Sequence, residues 1–158
     1  MGKVLVAYYS RTGNTEKMAE LVAAGARSVG VEVVVKQIAD LAAPELLQYH
    51  GLIFGSPTYY GSMAWEMKKL FDESVQYHGQ LTGKVGGAFS SSVNVGGGNE
   101  TTILDILHVF LIHGMIVEGS APGDHYGPVA INAPDQRAAK QCEALGKRVG
   151  VLVQKLFP

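Results

Sequence analysis

The sequence predicts an α/β fold: a doubly wound, five-stranded parallel sheet in the order 2-1-3-4-5 with helices on both faces. Three observations predict it. Short apolar runs recur along the chain, separated by longer segments of helical periodicity. The runs are apolar almost throughout rather than alternating, as strands buried on both faces are. Right-handed crossovers then leave few ways to order five such strands.

Each element follows in turn. "KVLVAYY" (3–9) reads as the first strand. A helix over about 14–28 carries Met18, Leu21, Val22, Gly25 and Val29 at helical spacing, with Thr12 or Asn14 as candidate cap and Gly30 as stop. "VEVVVKQI" (31–38) is the second strand, and a connection with Pro44 leads to the third, "GLIFGS" (51–56). The spacing of Met63, Met67, Leu70, Phe71 and Ser74 predicts a helix over 63–77. "KVGGAFSS" (84–91) is the fourth strand. A helix over 99–112 turns Ile103, Leu107, Phe110 and Leu111 inward, and "MIVEGS" (115–120) is the fifth strand. A last helix over 135–156 carries the stripe Ala138, Cys142, Leu145, Val149, Leu152 and Leu156.

Bulk properties bound the function. The 158 residues form one expected domain, 1–158, with no repeat or linker. Hydrophobic residues make up 47% and charged residues 17%, which excludes a disordered chain. A formal net charge of −1 and the lack of a basic run point away from nucleic acid and from anionic membranes. Cys142 is the single cysteine, so no internal disulfide forms. The longest apolar block, 103–117, contains Asp105, His108, His113 and Gly114 and is too short and polar to span a bilayer. With no secretory pattern at the N-terminus, the expectation is a cytoplasmic protein.

In sheets of this order ligands bind outside the carboxyl ends of the strands. That selects the loops 10–15, 56–62, 90–99 and 120–128. "SRTGNT" (10–15) opens a helix whose first N–H groups lack partners, a setting that suits a phosphate. It has neither the lysine of a Walker loop nor the G-x-G-x-x-G of a dinucleotide fold. A capped turn with incidental hydroxyls fits the same composition. "GSPTYYGSM" (55–63) places two tyrosines at a strand end, where aromatic rings can pack on a flat ligand. Pro57 and Gly61 are also ordinary turn residues. In "SSSVNVGGGNETT" (90–102) three glycines permit close backbone approach, or simply a flexible loop.

These segments carry a resemblance. "YYSRTGNTEKMA" resembles the FMN phosphate loop of flavodoxin-like proteins. Taken with "PTYYGSMAWEMKKLFD", "FSSSVNVGGGNETT", the "HGM" at His113–Met115 and the "HYG" at 125–127, it is similar to the WrbA family of NAD(P)H:quinone oxidoreductases, in order along most of the chain. The resemblance implies a flavodoxin-like fold. It implies FMN contacts at Ser10, Arg11, Thr12, Gly13, Asn14 and Thr15, and at Pro57, Thr58, Tyr59, Tyr60 and Gly61. It implies further contacts at Ser90, Ser91, Ser92, Val93, Asn94, Val95, Gly96 and Gly97. His113 is expected beside the flavin ring as the catalytic group, although a histidine before Gly114 also suits a helix C-terminus. His125 and Tyr126 are expected to line the substrate pocket. No metal is implied. The first loop is closer to a flavodoxin's than to that family's, and the connection between strands two and three is shorter.

The expected function is transfer of two electrons from NAD(P)H to a quinone through FMN. The alternative is a one-electron carrier of flavodoxin type. Carriers are usually strongly acidic, and many cover the flavin with an aromatic from the loop after strand four; residues 90–99 contain none. Trp65 lies about 200° around its helix from Met63, on the outward side. It is therefore expected at a subunit interface or over the flavin, within a homo-oligomer of two or four copies.

Overall fold

The structure is a computed structural model describing all residues from Met1 to Pro158. Its sheet runs β2–β1–β3–β4–β5, every pairing parallel, as the sequence predicts. The strands are β1 (Lys3–Tyr8), β2 (Glu32–Gln37), β3 (Gly51–Pro57), β4 (Val85–Ser92) and β5 (Ile116–Val117). The central strands β1, β3 and β4 are buried along nearly their whole length, which accounts for their unbroken apolar sequences.

The fifth strand departs from expectation. Only Ile116 and Val117 pair there, with Val85 and Gly86. The chain then leaves the sheet over 118–128 and returns as β6 (Val129–Ile131), which pairs with Ser90–Ser92 farther up β4. The polar and turn-forming residues from Glu118 to Gly123 drive the exit, and a three-residue strand is too short to show a period. Gly127 and Pro128 bring the chain back: Pro128 O accepts from Ser90 N–H at 3.0 Å, and a side chain at Gly127 would sit 2.0 Å from Ala88 O.

The helices are α1 (Asn14–Arg27), α2 (Trp65–Glu73), α3 (Asn99–Ile112) and α4 (Gln136–Leu156). The helix expected over 63–77 is α2 followed by a 3-10 turn at Ser74–Tyr77. Neither Thr12 nor Asn14 caps α1; Gly13 occupies the cap position at φ 94°, without a side-chain bond. At α3 the inward face holds Ile103, Ile106, Leu107 and Phe110, but Leu111 is 58% exposed. That helix is apolar nearly all round at its end, so spacing alone could not assign the residue.

Two cores flank the sheet. One packs Met67, Leu70, Phe71, Ile103 and Phe110 against Leu5, Leu52 and Phe54. The other packs Met18, Val22, Cys142, Leu145 and Val149 against Val4, Val6, Ile53 and Phe89. On this second face α1 and α4 touch backbone to backbone. A Cβ on Gly25 would fall 2.0 Å from Glu143 O, and one on Gly146 would fall 1.9 Å from Val22 O. Fully buried Cys142 has its thiol pKa pushed up to about 12, chiefly by desolvation, and is inert.

Candidate functional site

At the carboxyl edge of the sheet four loops meet around a cavity of about 260 Å³. Ser10, Arg11, Thr12, Asn14 and Thr15 form one wall; Pro57, Thr58 and Tyr59 form the second; Ser91, Ser92 and Val93 form the third. Arg11 is the only charged side chain on the lining, and it takes part in no ion pair within the chain.

The first wall follows from local backbone chemistry. Gly13 takes a positive φ, so the chain curls as it enters α1, and its N–H donates to Ser10 Oγ at 3.0 Å. Lys17 N–H is the first to bond within the helix, to Gly13 O at 3.1 Å. The N–H groups of Arg11, Thr12, Asn14, Thr15 and Glu16 therefore have no acceptor in the chain. Unpaired amides at a helix N-terminus, together with the positive end of the helix dipole and the Arg11 guanidinium, form a receptor for a small anion. Thr15, 1% exposed, ties this loop to the third wall through a 2.9 Å bond between Thr15 Oγ1 and Ser91 Oγ.

The second wall is hydroxyl-bonded to its neighbours. Thr58 N–H donates to Ser91 O at 2.7 Å. Thr58 Oγ1 shares protons with Ser90 Oγ at 3.1 Å and with Thr102 Oγ1 at 2.9 Å. Ser90 thus lies beneath the wall rather than on it. Beyond Thr58 the chain turns tightly: Tyr59 and Ser62 exchange backbone bonds, with Tyr60 and Gly61 at φ 48° and 82°. Tyr59 packs edge-on against Tyr9 at 6.1 Å, and Tyr60 stands wholly in solvent. The Tyr9 phenol is held above its usual pKa, first by desolvation and then by the Glu66 carboxylate.

In the third loop Val93 and Val95 are exposed, and Gly96 and Gly98 take positive φ. Val95 and Gly96 face a second, shallower concavity of about 460 Å³ rather than the cavity itself. Asn94 O accepts from Ser92 Oγ at 3.0 Å and from Gly97 N–H at 3.1 Å, which folds the loop back on itself.

One lining residue escaped the sequence reading. Asn132, just after β6, faces the cavity at φ 58° and donates its N–H to Ser92 O at 2.8 Å. The available signal was an Asn–Ala–Pro turn after a short apolar run, since asparagine tolerates the left-handed region.

Of the expected contacts, Gly13, Tyr60, Gly61, Ser90, Asn94, Val95, Gly96 and Gly97 adjoin the cavity in sequence without lining it, and three more expected residues lie elsewhere. His125 and Tyr126 lie exposed on the 118–128 excursion, where His125 Nδ1 bonds Ser120 O at 2.8 Å; neither lines the cavity. His113 follows the far end of α3, about 20 Å of helix away from the third loop. It is 5% exposed beside Ser74, His78 and Thr82, at the amino edge of the sheet. Ser74 Oγ donates to Phe71 O at 2.6 Å, so it accepts from His113 Nε2 at 2.8 Å, and Nδ1 is left deprotonated without a partner. Burial, and secondarily His78, hold its pKa below the usual histidine range. Within one copy of the chain, His113 is a structural group.

Comparison with known proteins places this geometry in context. The family model described as Flavodoxin matches residues 6–151. The chain is 44% identical to a protein named Flavodoxin from Aquifex aeolicus, over 94% of this chain and 85% of that one. It is 35% identical to a protein named NAD(P)H dehydrogenase (quinone) from Archaeoglobus fulgidus, over 99% of this chain and 100% of that one. Among solved structures it superposes on a flavodoxin, WrbA-like protein from Agrobacterium tumefaciens with a TM-score of 0.84 at 25% identity, covering 99% of both chains. An archaeal flavodoxin gives a TM-score of 0.80 at 28% identity, covering 96% of this chain and 99% of that one.

Proposed function

The chain belongs to the flavodoxin family, and from that membership we propose that it is an FMN-dependent oxidoreductase passing two electrons from NAD(P)H to a quinone. The observation that carries the reading is the cavity itself. Its first wall offers five unpaired amides and one guanidinium, and Tyr59 is the one aromatic side chain on its lining, with none from the third loop.

The residues fit the cofactor. A terminal phosphate matches the free N–H groups of Arg11, Thr12, Asn14, Thr15 and Glu16, with the hydroxyls of Ser10, Thr12 and Thr15 as further donors. A dinucleotide would need a second phosphate cradle, for which the chain has no glycine fingerprint. FMN, when bound, would supply the two-electron redox chemistry between NAD(P)H and the quinone, whose reduction to the hydroquinone takes up two protons. The chain's part is to hold the phosphate and to flank the ring with Tyr59 and Tyr60. The short side chains Val93 to Gly98 leave one side of the mouth open to a small acceptor and to water.

No acidic or histidine side chain lines the cavity, so the protons of quinone reduction come from solvent. The same absence favours the second reading, a one-electron carrier, which needs no proton donor. Steady-state oxidation of NADH and NADPH by the FMN-loaded protein, with and without benzoquinone, separates the two. Quinone-dependent turnover is expected; a loaded protein that NAD(P)H does not reduce is a carrier.

A further inference from the structure

We propose that Thr101 and Asp105, which do not touch the cavity, are positioning residues that clamp the tyrosine turn and so fix Tyr59, its first residue, on the cavity wall. The proposal rests on the FMN reading of the site. Its starting point is a backbone outlier. Tyr60 is at φ 48° and Gly61 at φ 82°, both central residues of the turn from Tyr59 to Ser62. Glycine adopts that region freely. A bulky aromatic residue does so at a cost of about 1–2 kcal/mol. Such strain persists only where the surroundings over-determine it.

The surroundings here are one face of α3. Thr101 Oγ1 shares its one proton between Gly61 O at 2.6 Å and its own helix entry, Gly98 O, at 2.8 Å, and Asp105 Oδ2 accepts from Ser62 Oγ at 2.6 Å. Residues four apart lie on the same side of a helix, so the two grip consecutive residues of the turn. Thr102 holds the entry of the same turn through Thr58. The approach is close enough that a Cβ on Gly98, the residue before α3, would lie 2.8 Å from Gly61 Cα. Hydrophobic contact does not hold Tyr60 in place: the side chain is fully exposed. The bonds to α3 are what hold the turn that carries Tyr60 and follows the cavity-lining Tyr59. The serine to carboxylate bond is charge-assisted and is the stronger grip.

The test uses the full chain, with Asp105→Ala, Thr101→Val and the double variant, and Asp105→Asn as the conservative rescue. Three quantities are read: FMN affinity by flavin fluorescence, the melting temperature, and the rate at which chymotrypsin cuts the FMN-free chain after Tyr59 or Tyr60, with fragments assigned by mass. Asp105→Ala is expected to weaken FMN about tenfold, or ~1.4 kcal/mol. It is also expected to speed cleavage in the turn several-fold and to leave the melting temperature near the parent's. Asp105→Asn keeps an acceptor and should restore both. Parent-like affinity in the double variant overturns the proposal, and so does faster cleavage with unchanged affinity. If the parent chain binds no FMN, the functional reading fails on its own, and unchanged cleavage in the double variant would still refute the clamp.

Discussion

Thr12 tests the phosphate cradle with little collateral damage, because its side chain is exposed yet lines the cavity. Thr12→Glu sets a carboxylate against the bound phosphate. FMN should weaken by about 10–100-fold, while riboflavin, which lacks the phosphate, should bind unchanged. Flavin fluorescence titration of both ligands checks this; equal losses for the two would remove the phosphate from that wall. His113 belongs to another argument. Its pKa is depressed in the fold, so the unfolded chain binds its proton more readily. The stability it contributes is present above its unfolded pKa near 6.5 and is lost as pH falls through that value toward the folded one. His50 shifts in the same direction, by burial first and then Lys84. Urea midpoints between pH 7.5 and 5 should therefore fall, and His113→Gln should flatten part of that fall without altering FMN affinity.

At the level of elements, legibility tracked period and length. β1, β3 and β4 were readable because central parallel strands are apolar throughout, and α3 and α4 because their stripes persist over several turns. β5 and β6, of two and three residues, carry no period at all. The start of α1 at residue 14 was readable, but its cap was not, because Gly13 shapes it through backbone conformation, which no capping pattern announces. Three of the four walls of the site were visible as loops; Asn132 was hidden behind β6. His113 was misplaced because a motif match records local sequence and not which end of a helix faces the ligand. The crossing of α1 and α4 was also invisible, since small residues in helices give little hydrophobic signal. Gly146→Ala would push a methyl group into the α1 backbone and should destabilise the fold by about 3 kcal/mol. Gly119→Ala, whose nearest neighbour would be 3.5 Å away, should change stability by less than about 0.5 kcal/mol. Chemical denaturation of the pair decides whether contact or composition governs.

For the molecule as a whole, Trp65 bears on assembly. It lies outside both cores, 68% exposed, on the rim of a groove shared with Tyr9, Leu41 and Leu70. Tyr9 in turn packs on Tyr59 of the cavity wall. A second copy covering this groove would therefore sit beside the proposed flavin site. Trp65→Ser is expected to shift the protein toward lower mass in sedimentation equilibrium and to lower quinone turnover with it. Unchanged mass and unchanged rate would make the tryptophan a lone surface residue. No helix is long and apolar enough to cross a membrane.

The excursion at 118–128 also makes the chain a convenient scaffold. The strand leaves β4 at Gly86 and rejoins it at Ser90, with the return fixed by Gly127 and Pro128 rather than by the path between. Extra residues spliced between the exposed Ala121 and Pro122 lengthen a path whose two ends are independently anchored, and so leave the pairing frame of the sheet intact. A peptide tether or a whole second protein could be grafted there, joined to the strand that carries Ser90 to Ser92. Such a chimera would join a foreign module to the proposed flavin pocket through the sheet rather than through a chain terminus.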